Sequence, residues 1–205
     1  MRGLQAEDGA SLISASSTRP ARRYLGLLVL ALGLLVWGAD QLTKQWALAS
    51  FTRGEAEPFI GRLLQFTLVF NPGAAFSLGT SFTPVITTIM AVVTVAILVA
   101  ATRVRSRWWA VGLGFLLGGA TGNLTDRLFR PPGFAHGHVV DFLMLPNFPV
   151  FNVADSFITT AAVFIMIAAI KDIPFTGSAP EPTVHDKVAR DAQQVEKDSE
   201  EQTHG

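Results

Sequence analysis

From Pro84 to Ala101 the chain runs for eighteen residues without a charge, and a segment of that kind has few ways to fold. The hydrocarbon core of a bilayer takes about 20 apolar residues of helix, because a helix satisfies its own backbone hydrogen bonds there. Pro84 suits the first turn, where its missing N–H costs nothing. This run is one of four. Tyr24 to Ala39 is uncharged, and Asp40-Gln41-Leu42-Thr43-Lys44 carries it through the interface; a third run goes from Trp108 to about Thr125 and a fourth from about Asn152 to Ile170. The third holds Gly112, Gly114, Gly118, Gly119 and Gly122, small residues that let helix backbones approach closely in lipid.

These runs predict an all-α membrane protein with four transmembrane helices. Hydropathy drops between Ser50 and Thr83, with turn signals at Gly54, Pro58, Gly61, Pro72 and Gly73, and Leu63 to Phe70 is rich in β-favouring residues. A small extracytoplasmic β element between helices one and two is therefore expected, lying on the membrane surface. Residues 24–171 form the membrane domain. Residues 1–23 read as a polar, disordered cytoplasmic leader and 172–205 as a disordered acidic cytoplasmic tail, since Lys171 to Gly205 carries eight acids against four bases, together with three prolines. A cleaved secretory signal is the alternative for the first run, but Asp40, Lys44 and Trp46 make a poor approach to Ala47-Leu48-Ala49.

Four spans put both termini on one side. Arg19, Arg22, Arg23, Arg103, Arg105, Arg107 and Lys171 then face Lys44, Arg53, Arg62, Arg127 and Arg130, and the positive-inside rule gives N-in and C-in. Every polar motif falls at the outer face: Asp40 and Lys44 after span one, Asn71 before span two, Asn123 to Arg127 after span three, Asp141 and Asp155 before span four. Sixteen bases balance sixteen acids, so there is no basic footprint for nucleic acid, and the absence of cysteine excludes disulfides, thiol nucleophiles and cysteine metal ligands.

Ionisable groups at the mouth of a span are rare and usually functional. Bland readings exist for each. Asn152 with Asp155 three residues on is close to a capping box at a helix start. Asp141 in Val-Val-Asp-Phe fits an edge strand with one outward acid. Asn123, Asp126 and Arg127 at i, i+3 and i+4 suggest a helix end held by an Asp126–Arg127 or Asp141–Arg127 ion pair, Asp40 and Lys44 at i, i+4 a structural pair, and Asn71-Pro72-Gly73 a turn. His136 and His138 are read as loop residues, and no metal is expected: neither a zinc HExxH nor a G-x-S-x-G elbow is present. What remains is the carboxylate pair. Two aspartates held close share a proton, one acting as base on a water and the other as acid toward a carbonyl oxygen, and the dipole of the fourth helix favours Asp155 as the charged member. A proton-relay transporter would place its acids at mid-span, and the Gly-x-Gly-Asp of presenilin-type proteases is missing.

Asp40-Gln41-Leu42-Thr43-Lys44, Asn71-Pro72-Gly73-Ala74-Ala75-Phe76, Gly122-Asn123-Leu124-Thr125-Asp126-Arg127, Val139-Val140-Asp141-Phe142 and Phe151-Asn152-Val153-Ala154-Asp155-Ser156 resemble, in order and spacing, the five motif blocks of bacterial lipoprotein signal peptidase, signal peptidase II. The resemblance covers roughly Tyr24 to Lys171. It implies a membrane aspartic endopeptidase of the bacterial inner membrane that removes the signal peptide from diacylglyceryl-modified prolipoproteins, just before the lipidated cysteine, with no cofactor and with globomycin as an expected inhibitor. On this resemblance the catalytic residues are Asp141 and Asp155. Asn71, Gly73, Asn123, Asp126, Arg127 and Asn152 match positions that hold substrate backbone or support the acids, and Asp40 and Lys44 match a structural block. The glycine-rich third span would leave a lateral groove for acyl chains. The leader, the tail and Pro131-Pro132-Gly133 depart from the pattern.

Overall fold

In a computed structural model of the chain, residues 19–73 and 83–176 are described. Residues 177–205 of the tail and most of the leader lie outside these residues, as do Ala74, Ala75 and Phe76 of the second motif block. The first residues assigned to the disordered tail are instead packed: the Ile173 carbonyl accepts from Trp109 Nε1 at 2.8 Å, and Phe175 lies edge-on to the Trp109 ring at 5.3 Å, because an apolar pair next to the bundle gains by burial.

Helix α1 spans Arg19–Ser50 and takes in the last residues assigned to the leader, with Pro20 in its first turn where no N–H is needed. At 32 residues it is about 48 Å long, well over the roughly 30 Å of a hydrocarbon core. Its C-terminal turns therefore carry Asp40 and Lys44 toward one face. Helices α2 (Thr83–Ala101) and α4 (Val153–Ile170) follow the second and fourth apolar runs. Helix α3, Arg107–Phe129, has 23 residues but is less apolar. Among the described residues three helices, α1, α2 and α4, are long and apolar enough to cross a membrane.

Helix α3 is the centre of the bundle, packed on α1, α4 and α2. Its glycines explain the closeness. A Cβ at Gly118 would run into Val36 and the Gly33 carbonyl of α1, and one at Gly119 would stand 2.6 Å from the Ala154 carbonyl of α4. These glycines are thus taken up by helix packing. A cavity of about 390 Å³ lies between α1, α2 and α3, lined by Gly33, Leu34, Trp37, Thr94, Leu98, Leu117 and Thr121.

Strands β1 (Glu57–Ile60) and β2 (Leu64–Asn71) form the expected β element, but a third strand, β3 (Val139–Met144), joins from the connection between α3 and α4. The order is β1-β2-β3, antiparallel throughout. The reason is physical: an isolated hairpin is marginal in water, and a third strand with a packed face makes it stable. Trp46 at the end of α1 holds this sheet, with ring centroids 5.0 Å from Phe51, 5.2 Å from Phe66 and 6.3 Å from Phe142. Phe142 follows Asp141, so the aromatic cluster fixes the strand that carries the acid.

Candidate active site

Asp141 sits on β3, an edge strand as expected, but the acid points inward and is only 2% exposed. Its Oδ2 accepts a hydrogen bond from Asn71 Nδ2 at 2.9 Å and its Oδ1 one from Asn152 Nδ2 at 2.7 Å. Burial pushes the Asp141 carboxyl up to about 7; neighbouring Asp155 acts in the same direction, against the hydrogen bonds from Asn71 and Asn152 and the charge of Lys44. Asn71 comes from the end of β2, where its Oδ1 accepts the Gly73 N–H at 2.8 Å. This local turn needs Gly73, whose φ of +101° an L side chain would strain.

Asp155 occupies the first turn of α4. The capping box is present: Asp155 N–H donates to Asn152 Oδ1 at 2.9 Å and Asn152 N–H to Asp155 Oδ2 at 3.2 Å. Asn123 of α3 adds a third contact, its Nδ2 donating to Asp155 Oδ1 at 2.8 Å. Asn152 therefore both starts the helix and bridges to Asp141. Asp141, Asp155, Asn71, Asn123 and Asn152 form one hydrogen-bonded cluster, although they lie on β2, α3, β3 and α4.

Beneath this cluster lies a buried charge network. Lys44 Nζ makes ion pairs of 2.8 Å with Asp40 and with Asp126, all three fully buried, and donates to Asn123 Oδ1 at 2.9 Å. The i, i+4 pairing of Asp40 and Lys44 is as expected. The expected pairing of Arg127 is not found: Asp126 instead binds Lys44 and Arg130, the latter at 2.5 Å. Geometry explains this, since Arg130 is i+4 from Asp126 on the same helix face whereas Arg127, one residue on, points elsewhere. Arg127 is buried; its Nη1 reaches the Gly137 carbonyl at 3.5 Å, and its Nε has no hydrogen-bond partner among the described residues. A Cβ at Gly73 would stand 3.5 Å from Arg127 Nη2, so this cation borders the Asn71 turn.

The network ties the acids to the scaffold through backbone groups as well. Asp40 Oδ1 accepts the Ala154 N–H at 2.9 Å, in the first turn of α4, and Asp126 Oδ2 accepts the Val140 N–H at 3.2 Å, next to Asp141. Two participants escaped the sequence reading. Gln41 Nε2 reaches the Gly122 carbonyl at 3.1 Å, with longer contacts to Asp40 and Asp126; nothing in its position signals this. Arg130 had a signal, its spacing of four from Asp126.

A buried carboxyl near neutrality, a second carboxylate at a helix start and amide donors aimed at both can handle protons around a bound water. No metal or cofactor is needed for that chemistry. A bundle of apolar helices carrying such a site defines a membrane enzyme, and the solved structures agree. A structure described as a bacterial membrane enzyme matches with a TM-score of 0.60 and 29% identity over 70% of this chain and 93% of its own. A second structure of the same description matches with a TM-score of 0.59 and 29% identity over 76% and 93%.

Sequence relatives narrow the class. The family described as signal peptidase (SPase) II matches residues 32–171. A lipoprotein signal peptidase of Mycobacterium avium is 45% identical over 157 residues, covering 77% of this chain and 85% of that protein, and one of Rhodococcus jostii is 41% identical over 152 residues, covering 74% and 77%. The chain belongs to the signal peptidase II family.

Proposed function

We propose that the protein is a membrane aspartic endopeptidase that removes the signal peptide from diacylglyceryl-modified prolipoproteins, cleaving before the lipidated cysteine. Family membership supports the substrate class. The observation that carries the chemistry is the joining of Asp141 and Asp155 through Asn152, with Asp141 carrying a carboxyl held near 7 by burial.

Near neutral pH the pair then holds one proton. Asp155 stands at the positive N-terminus of α4, which favours its anion, and acts as base on the attacking water. Asp141, protonated, donates to the carbonyl oxygen of the scissile peptide. The bond from water oxygen to carbonyl carbon forms as the water proton passes to Asp155; collapse of the gem-diol intermediate breaks the C–N bond, the proton on Asp155 going to the leaving amine and a hydroxyl proton of the intermediate returning to Asp141 as the carbonyl re-forms. Arg127, whose Nε has no hydrogen-bond partner among the described residues, and the Asn71–Gly73 turn beside it are the groups we assign to contact with substrate backbone.

In this reading α3 is a fourth span, both termini face the cytoplasm, and the cluster lies near the outer face of the inner membrane, where a lipid-anchored cleavage site is presented. Residues 1–23 and 172–205 have no part in catalysis. Truncating residues 1–18 and 177–205, which keeps α1 whole and the Ile173 and Phe175 contacts to Trp109 in place, should leave cleavage intact in a properly inserted protein, and a severe loss would overturn that point.

The test is cleavage in detergent by purified protein. A diacylglyceryl-modified precursor should be shortened, its unlipidated form should resist, globomycin should inhibit, and Asp141→Asn or Asp155→Asn should abolish the reaction. Cleavage by both aspartate variants would refute the mechanism.

A further inference from the structure

Three side-chain amides serve the aspartates, and each helps only if its NH2 group faces the acid. Asn71 is oriented by the Gly73 N–H, which donates to its Oδ1, and Asn152 by the Asp155 N–H in the same way. A backbone N–H can only donate, so it draws the amide oxygen to itself and turns the NH2 toward Asp141. Among the described residues Asn123 has no backbone donor at its Oδ1. Its oxygen accepts from Lys44 Nζ at 2.9 Å and from Asn152 Nδ2 at 3.1 Å, and its Nδ2 reaches Asp155 Oδ1.

An ammonium has three hydrogens and no acceptor. Two go to Asp40 and Asp126, and the third goes to Asn123. Charge pairing alone does not require this third bond. Asn152 Nδ2 supports the same orientation but also serves Asp141 at a shorter 2.7 Å. Lys44 thus does for Asn123 what backbone N–H groups do for the other two amides.

We propose that Lys44 is a positioning residue for the peptidase reaction: acting through Asn123, it aims an ammonium-polarised amide at Asp155, keeping Asp155 the hydrogen-bond acceptor and leaving the shared proton to Asp141. The proposal rests on the peptidase reading above. The chain Lys44–Asn123–Asp155 favours charge on Asp155, and polarisation along such chains strengthens each bond. The charged groups around the pair are Lys44 and Asp40 from α1, and Asp126 and Arg127 from α3.

The test measures kcat, KM and the pH–kcat profile of Lys44→Met on a lipidated precursor. The expected result is a fall in kcat of about 100-fold, as for a misaligned reacting group, with KM little changed. Both limbs of the profile should move to higher pH by about 1 unit, since the pair loses a nearby cation. In an Asn123→Ala background, Lys44→Met should have little further effect on kcat. Leu113→Ala, a core change outside the network, should lower thermal stability and leave the profile in place.

A folded Lys44→Met with the parental profile, or with its loss confined to KM, overturns the proposal. If Lys44→Met does not fold, Lys44→Met with Asp40→Asn, which removes one charge of each sign, is judged by the same criteria. Failure of both to fold makes Lys44 purely structural and also overturns it. A parent protein that does not cleave the lipidated precursor sinks the peptidase reading instead; a cleaving parent with inactive Asp141→Asn and an unaffected Lys44 variant sinks only this inference.

Discussion

Asn152 Nδ2 donates to Asp141 Oδ1 at 2.7 Å while the oxygen of the same amide caps α4, so helix initiation and support of the acid rest on one side chain. The two roles separate by substitution. Asn152→Ser keeps an N-cap oxygen but loses the donor to Asp141; Asn152→Ala loses both. Thermal denaturation in detergent should show Asn152→Ala less stable by about 1 kcal/mol from the lost cap, with Asn152→Ser close to the parent. Cleavage assays should show both strongly impaired. Parental activity in Asn152→Ser would show that Asp141 does not need this amide.

The raised Asp141 carboxyl makes activity and stability depend on pH in defined directions. The protonated form is lost as pH rises through about 7, so kcat should fall above neutrality. For stability, the folded protein binds this proton more tightly than the unfolded chain, whose aspartate titrates near 3.9. The contribution is complete below that value and lost as pH climbs to about 7. Asp141→Asn carries no such proton. Compared at pH 5 and pH 8, its unfolding free energy relative to the parent should rise with pH, by up to about 1.4 kcal/mol per pH unit below 7. A pH-independent difference would refute the assignment.

Gly119 stands where α3 crosses the start of α4. A Cβ there would be 2.6 Å from the Ala154 carbonyl and 2.7 Å from Ile158 Cγ1. Gly119→Ala should cost about 1–3 kcal/mol of stability through overpacking, and because Ala154 precedes Asp155 it should also lower kcat. Gly133→Ala, where an added Cβ meets nothing within 4 Å, should leave both unchanged.

Among the described residues the Arg127 side chain makes one long hydrogen bond, to the Gly137 carbonyl at 3.5 Å, and its Nε has no partner. If its guanidinium serves substrate, Arg127→Lys should reduce kcat/KM at least tenfold with a change in melting temperature of only a few degrees. A large loss of stability with undisturbed kinetics in the surviving folded fraction would make its role structural.

Much of the fold is legible in the sequence because a bilayer imposes a long, nearly chargeless run on each helix that crosses it. Helices α1, α2 and α4 follow that rule within a few residues at most boundaries. The capping box was equally visible, since Asn152 and Asp155 interact within a single turn. Local spacing also indicated the Asp40–Lys44 pair. It failed for Asp126, where two candidate partners stood nearby and the facing side of the helix decided between them.

The chemistry-bearing residue types and their order along the chain were thus set by sequence alone, down to Asp141 and Asp155 as the acids to watch. Tertiary structure decided what surrounds them. That β3 pairs with β2 and brings Asn71 to Asp141, that Lys44 reaches across to Asn123, and that Arg127 is left without an ion pair among the described residues all depend on contacts 70 to 79 positions apart, or on their absence. Periodicity carries no information at such separations; packing of glycine faces and satisfaction of buried polar groups determine which distant side chains meet.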